Sequence, residues 1–307
     1  MDTMRGPIPS PTLYAHGVHS SLNVGMTPTM PDKSEPAQIW TSREAADAWH
    51  RLADRRVALW RSVSERMLDL ASVGVGSRVL DVAAGTGDDA LLAVRRVGPS
   101  GHVLATDLSA HMLEIAAELG RQAGVTNIET HLMDAERVDL PPDAFDAVIC
   151  RNGLMFIPDL RTALLGLRRV LRPGGKIAAV VFSSEEKNPV VAIAQEIVRR
   201  IGRLPRHAPG EPGWFALGAP GVLEAAFRAA GFRDVAVEPI STTRRAASIQ
   251  DVVHAMQDNP VLSEPLSHLG PAEREQASRE MVEALRGFAG PDGFDAPGES
   301  LLAVGTK

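Results

Sequence analysis

Cysteine is almost missing from this chain. Cys150 stands alone, so no disulfide can close within it, and the usage fits a reducing compartment. Aromatic residues are scarce at 4%, which makes each tryptophan a position to account for. No apolar run approaches the length that spans a membrane. The opening MDTMRGPIPSPTLYAHG lacks the apolar core of a secretory signal. Excess positive charge is missing too: a formal charge of -6 gives no electrostatic footprint for nucleic acid. The histidines are scattered without metal-ligand spacing, so no metal is expected. These absences predict a soluble cytoplasmic protein with no nucleic-acid partner and no membrane span.

What is present has a clear order. Residues 1–36 are rich in Pro, Ser, Thr and Gly and poor in large apolar side chains, the composition of an irregular arm. Taking 1–40 as that arm leaves Tyr14, His16, His19 and Trp40 on it, and makes it a candidate lid or a contact between subunits of a homo-oligomer. Residues 41–74 carry helical periodicity behind an N-cap candidate, Thr41 or Ser42, with Glu44 close by. Trp49 and Trp60 are expected to pack this segment onto the core.

The most informative stretch is RVLDVAAGTGDDALLAV, which begins at Arg78. Val79, Leu80 and Val82 read as a short buried strand. The following turn holds Ala83, Gly85, Thr86 and Gly87, and its glycines permit positive φ and close approach of a ligand to the backbone. Asp88 and Asp89 then open a helix at the end where its dipole favours acids. This strand–turn–helix unit is the nucleotide corner of a doubly wound α/β sheet. A dinucleotide corner would read G-x-G-x-x-G, and only the first part of that spacing is here. Asp81 at the strand end would repel a pyrophosphate but can hold an amino group, directly or through water. S-adenosylmethionine, with a cationic amino acid end and no phosphate, fits such a corner.

Further strands alternate with helices, so the sheet is expected to be largely parallel. GHVLATDLS ends a strand at Asp107, about 20 residues beyond the glycines, where such folds place an acid on ribose hydroxyls. SAHMLEIAAELGRQAG is a helix capped by Ser109 and stopped by Gly124. NIETHLMDA is read as a strand ending at Asp134, and FDAVICRNGLMFIPD as one that leaves Arg151 and Asn152 at its carboxyl end. LRTALLGLRRVLRPGG is a helix broken by Pro173, and KIAAVVFSS a fifth strand. Four strands thus deliver polar groups to one rim, the place where ligands bind in such sheets.

The segments VLDVAAGTGD, ATDLSAHML, MDAERVDLPPDAFDAVICRNGLMFIPD and LRRVLRPGG, in that order over about residues 75–183, resemble class I S-adenosylmethionine-dependent methyltransferases of the ubiquinone and menaquinone biosynthesis type. The resemblance implies a Rossmann-like sheet of seven strands in the order 3-2-1-4-5-7-6, the seventh antiparallel, with S-adenosylhomocysteine as product. It implies that Asp81 and the 83–87 turn hold the methionine moiety. Asp107 would take the ribose, with Leu108 and Met112 beside the adenosine. Asp134 would accept from the adenine amino group next to Ala135, and Arg151 and Asn152 would line the methionine end. Ala83 departs from the glycine common in the superfamily. DVAVEPIS and SLLAVGTK are the late strand candidates, and residues 184–307 complete the same domain. Insertions at about 184–220 and 241–296 are expected to form a helical cap over the acceptor.

The expected acceptor is a small hydrophobic metabolite, with Trp40, Met155, Phe156, Trp214 and Phe215 as its wall. His254 on the cap is the candidate general base, weighed against His207 and His111. Two other classes stand beside methyl transfer: a non-catalytic protein that binds S-adenosylmethionine on the same fold, and a dinucleotide-dependent oxidoreductase.

Overall fold

Strand Arg78–Val82 (β1) lies at the centre of a sheet and is buried from Val79 to Val82. In the computed structural model, which describes residues 39–206, 208 and 210–307, β1 pairs in parallel with His102–Asp107 (β2) and with Phe145–Arg151 (β4). Ile128–Leu132 (β3) adds outside β2, and Leu171–Phe182 (β5) outside β4, both in parallel. Two long strands, Arg233–Ala246 (β6) and Gly293–Thr306 (β8), complete the sheet. β8 runs antiparallel between β5 and β6, and the two-residue strand Ala289–Gly290 (β7) pairs with β8. The order is β3-β2-β1-β4-β5-β8-β6. β8 takes the place expected of the seventh strand, so the doubly wound arrangement has the predicted order with one small added strand.

The central strands are continuous apolar runs because both faces are covered. Val148, Ile149 and Cys150 in β4 have no exposed surface. The covering helices are amphipathic. Ala53–Leu70 (α2) buries Trp60, Val63, Met67 and Leu68; Asp88–Val97 (α3) buries Ala90, Ala93, Val94 and Val97. Ala110–Gln122 (α4) starts at Ser109, whose hydroxyl accepts from Met112 N, and Leu160–Val170 (α5) starts at Asp159, whose carboxylate accepts from Thr162 N. Each cap satisfies a donor that the helix start leaves free.

Four features differ from the sequence reading. The helical segment after residue 41 is two helices, Arg43–Arg51 (α1, capped by Ser42) and α2, with the joint at Leu52. At the joint the Trp49 carbonyl accepts from Leu52 N at 3.3 Å and from Arg56 Nη1 at 2.6 Å. β3 ends at Leu132, so Asp134 lies in the turn beyond it. Arg172–Gly175 belongs to β5 rather than to a helix terminus: pairing jumps from Phe145–Leu171 to Ala147–Lys176, and the residues between bulge out. Proline has no N–H for a ladder and is tolerated at such a bulge. The late strands are far longer than DVAVEPIS and SLLAVGTK. Residues 241–246 and 293–296, expected in the helical cap, continue the antiparallel ribbon.

The rest of the cap is helical as expected. Pro189–Ile201 (α6), Ile249–Gln257 (α8), Pro260–Ser267 (α9) and Pro271–Ala284 (α10) pack on one another. Val222–Ala229 (α7) leads into β6. No helix among the described residues is long and apolar enough to cross a membrane. The arm residues Tyr14, His16 and His19, and His207, lie outside the described residues.

Ile149 sits fully buried in the middle of β4. Ile149→Ala should lower unfolding free energy by about 2–5 kcal/mol through lost burial and the cavity left behind, as measured by urea denaturation.

Candidate active site

The turn after β1 is held from two sides. Ala84 N donates to Thr106 O at 3.0 Å, and Gly85 N donates to Asp107 Oδ2 at 2.8 Å. Gly85 has φ +55°, and a Cβ there would lie 3.0 Å from the Trp49 Nε1 atom. Glycine is therefore required both by the backbone and by the indole above it. Ala83 also takes positive φ, at 54°, as does Asn152 at 57°. Left-handed backbone in non-glycine residues stores strain and collects at functional sites. Gly153, next to Asn152, packs against the turn: a Cβ on it would lie 2.6 Å from that of Ala83.

Five charged side chains gather beside the turn. Arg56 reaches in from α2, its Nε donating to Asp88 Oδ2 at 2.6 Å and its Nη2 to Thr86 Oγ1 at 2.8 Å. Its guanidinium stacks over Trp49, 4.3 Å from the ring centre. Arg151, at the end of β4, donates from Nε to Asp89 Oδ2 at 2.6 Å and from Nη2 to Asp88 at 3.4 Å. Asp81 completes the group, 1% exposed, with Oδ2 unpaired. Burial, then repulsion from Asp89, pushes the Asp81 carboxyl well above the usual carboxylate range, against attraction from Arg151. Burial pulls the Arg56 guanidinium down, against Asp88. For Arg151 burial acts the same way, but Asp89, Asp88 and Asp81 together outweigh it and raise the guanidinium. Two guanidiniums face three carboxylates, and with all ionised the group carries one surplus negative charge.

Asp107 is held beside the turn rather than free. Its second oxygen accepts from Ser109 N at 2.9 Å, and burial raises its carboxyl against these backbone bonds. Its carboxylate ties the first turn to the start of α4. Leu108 is half-buried and Met112 fully buried. Asp134 Oδ1 accepts from Glu136 N at 3.0 Å and shapes the turn that holds Ala135. Cys150, behind the site, has its thiol pushed up to about 12 by burial and then by Asp81, so it stays protonated.

The aromatic candidates divide. Trp40 packs edge-on against Trp49 and Phe156, with centroids 5.4 and 5.8 Å apart. Phe215 meets Phe182, which meets Trp60. Met155 and Trp214 are nearly fully buried, and Gly213 N donates to Met155 O at 2.9 Å, joining their loops. His254 lies on the exposed side of α8, whose buried side is Val252, Val253 and Met256. It is not gathered with the five charges. His111 is paired with Glu114 on α4.

Sequence reasoning missed Arg56, Trp49 and Gly153 as parts of this site, and read Asp88 and Asp89 only as dipole acids. Nothing in the local pattern of a helix announces that one of its arginines crosses to another element. The doubled acid at the start of α3 was the available signal, since two adjacent buried carboxylates need cations.

The donor set suits S-adenosylmethionine. Asp81 Oδ2 and Asn152 Oδ1, both buried and unpaired at neighbouring strand ends, are acceptors that an ammonium can satisfy directly or through water, and its charge offsets the surplus. Sheet order and site together resemble the core of class I S-adenosylmethionine-dependent methyltransferases. Residues 79–175 match the family described as methyltransferase domain. The ubiquinone/menaquinone biosynthesis C-methyltransferase UbiE of Hahella chejuensis is 37% identical over 140 residues, 45% of this chain and 55% of that protein. This chain spans about half the length of the UbiE relatives it matches. Among solved structures, the Bacillus subtilis YcgJ protein aligns with TM-score 0.53 at 20% identity, covering 80% of this chain and 98% of that one. A Haemonchus contortus phosphoethanolamine N-methyltransferase aligns with TM-score 0.57 at 16% identity, covering 91% and 61%. These two establish the fold.

Two outcomes follow for the site. Asp107→Ala removes the acceptor of Gly85 and Ser109 N–H and should weaken S-adenosylhomocysteine binding by about 1–3 kcal/mol; calorimetry on the folded variant tests this, and unchanged affinity would remove Asp107 from the site. Asp81 has a native pKa above its unfolded value, so its contribution to stability is present at low pH and is lost as pH rises through the native value. Asp81→Asn should therefore raise the melting temperature of the ligand-free protein more at about pH 8 than at about pH 4, while weakening S-adenosylhomocysteine. Thermal scans at both pH values, with calorimetry, check the pair.

Proposed function

We propose that this protein transfers a methyl group from S-adenosylmethionine to a small, largely apolar metabolite. The observation that carries this is the pair of buried acceptors Asp81 Oδ2 and Asn152 Oδ1, unpaired among the described residues, with aromatic walls close at hand. Asp81 and Asn152 would hold the amino acid end of the cofactor, the 83–87 turn its backbone contacts, and Asp107 its ribose. Leu108 and Met112 would border the adenosine, with Asp134 and Ala135 at the adenine. The cofactor would supply an electrophilic methyl carbon on a sulfonium, which the acceptor attacks in line as the carbon–sulfur bond breaks and S-adenosylhomocysteine leaves as a neutral thioether.

The chain's own residues then have to position the acceptor and exclude water. Trp40, Trp49 and Phe156 form one aromatic wall, and Trp60, Phe182 and Phe215 a second. His254 would reach an acceptor proton only from the exposed side of α8. A neutral amine attacks without prior loss of a proton, whereas a hydroxyl or a phenol ring carbon must give one up to a base or to water. The UbiE relatives are named as C-methyltransferases of quinone biosynthesis, which favours an aromatic or quinone-like acceptor here. A dinucleotide cofactor is disfavoured because a pyrophosphate would face the Asp81 and Asp89 carboxylates. The single buried thiol of Cys150 favours a cytoplasmic location.

An activity screen with methyl-labelled S-adenosylmethionine over a metabolite panel tests the reading. Transfer of label to an aromatic or prenylated acceptor is expected; binding of the cofactor without transfer to any acceptor would favour the non-catalytic reading. Phe156→Ala should raise the acceptor KM several-fold while S-adenosylhomocysteine affinity stays within about twofold, as a loss confined to acceptor binding requires.

A further inference from the structure

Beyond the second aromatic wall, a narrow recess opens between the end of β5, the start of α6 and the β6–β8 ribbon. Trp60 and Phe182 form one side, Asn188 another, and Thr242, Arg244 and Gly298 the third. It has room for little more than a water-sized group at its base. Thr242 and Arg244 are two residues apart on β6 and so point to the same face. Opposite them on β8 stand Gly298 and Ala296, which cover neither side chain. A Cβ on Gly298 would lie 2.6 Å from Thr242 Oγ1, so the glycine keeps this face open.

Arg244 is the unusual group. Most of the protein's arginines pair with a carboxylate or a carbonyl; its strand neighbour Arg245 pairs with Asp295 at 3.1 Å. The Arg244 guanidinium is half-buried and has no hydrogen bond or ion pair among the described residues. Burial pulls it down to about 10, with no carboxylate to offset the cost. A desolvated cation without a partner is costly to keep. The Thr242 hydroxyl beside it is also without a partner among the described residues, whereas the Asn188 amide is spent on Ser184 O and Glu299 O. The recess therefore presents two open donors, one charged, at the edge of an aromatic wall. It is linked to the cofactor corner through Trp60, whose ring lies 5.9 Å from the Arg151 guanidinium.

We propose that Arg244, with Thr242, binds a carboxylate on the methyl acceptor, so that the enzyme selects an acidic form of its apolar substrate over the neutral one. The planar fork of arginine matches a carboxylate through two parallel N–H donors. The aromatic walls then take the apolar body, and the acid end fixes which atom faces the methyl donor. This rests on the methyltransferase reading above and adds the chemistry of the acceptor to it.

The test measures binding of benzoate and of its uncharged match, benzamide, to the protein saturated with S-adenosylhomocysteine. Ligand-observed NMR gives the affinities, and thermal scans confirm folding. Wild type should prefer benzoate by about tenfold, the scale of one charge-assisted pair. Arg244→Gln should bring the two probes to parity with S-adenosylhomocysteine affinity unchanged. Arg244→Lys should keep a reduced preference for benzoate, and carries the test if the glutamine variant does not fold. Equal affinities in wild type, no saturable binding of benzoate, or a preference that survives Arg244→Gln would each overturn the proposal while leaving methyl transfer standing. Failure of S-adenosylhomocysteine itself to bind would overturn the methyltransferase reading and this proposal together.

Discussion

Two guanidiniums, one from α2 and one from the end of β4, meet on the pair of carboxylates that opens α3. Arg56 and Arg151 share Asp88, and Arg151 also holds Asp89. All four side chains are about nine-tenths withdrawn from water. Removing any one would leave an uncompensated buried charge, which is far more costly than losing a surface pair. The network fixes the N-terminal helices against the sheet, and it brings Trp49 over Gly85. It also sets the electrostatics of Asp81, whose Oδ2 is left without a hydrogen bond among the described residues.

That arrangement makes the corner better suited to a cation than to a phosphate. The helix that follows a glycine turn usually offers its positive end to an anion. Here that end is already occupied by Asp88 and Asp89, and the added arginines serve these acids rather than a ligand. The open acceptors sit at the strand ends, where Asp81 and Asn152 carry oxygens unpaired among the described residues. Asp107 contributes differently: its two backbone acceptor bonds lock the turn in shape.

The proposed acceptor side is built from elements that have no part in the parallel core. The β6–β8 ribbon extends past the strands beside it, and α6, α8, α9 and α10 assemble over that end of the sheet. Aromatic residues are few in this chain, yet Trp40, Trp49, Trp60, Phe156, Phe182 and Phe215 collect into two clusters at the carboxyl rim. Chemistry on a sulfonium gains from such walls because they exclude water without adding nucleophiles.

Local pattern was enough for the core. Short β-branched strands, a glycine turn and capped helices are each set by neighbours within a few residues, so β1, β2, β4, α3 and α4 could be read directly, and with them Asp81, Asp107 and Asn152 at the rim. The Pro173–Gly175 bulge and the length of β6 and β8 could not be read, because a ladder is decided by the partner strand and not by the strand's own sequence. The same holds for the site. Sequence determined which acids stand at strand ends; only tertiary structure decided that Arg56 crosses from its helix to pair with Asp88, and that, among the described residues, Asp81 Oδ2 is left unpaired and Arg244 stands opposite glycine and alanine with no ion pair. Charges are paired through space, at separations along the chain that no local pattern encodes.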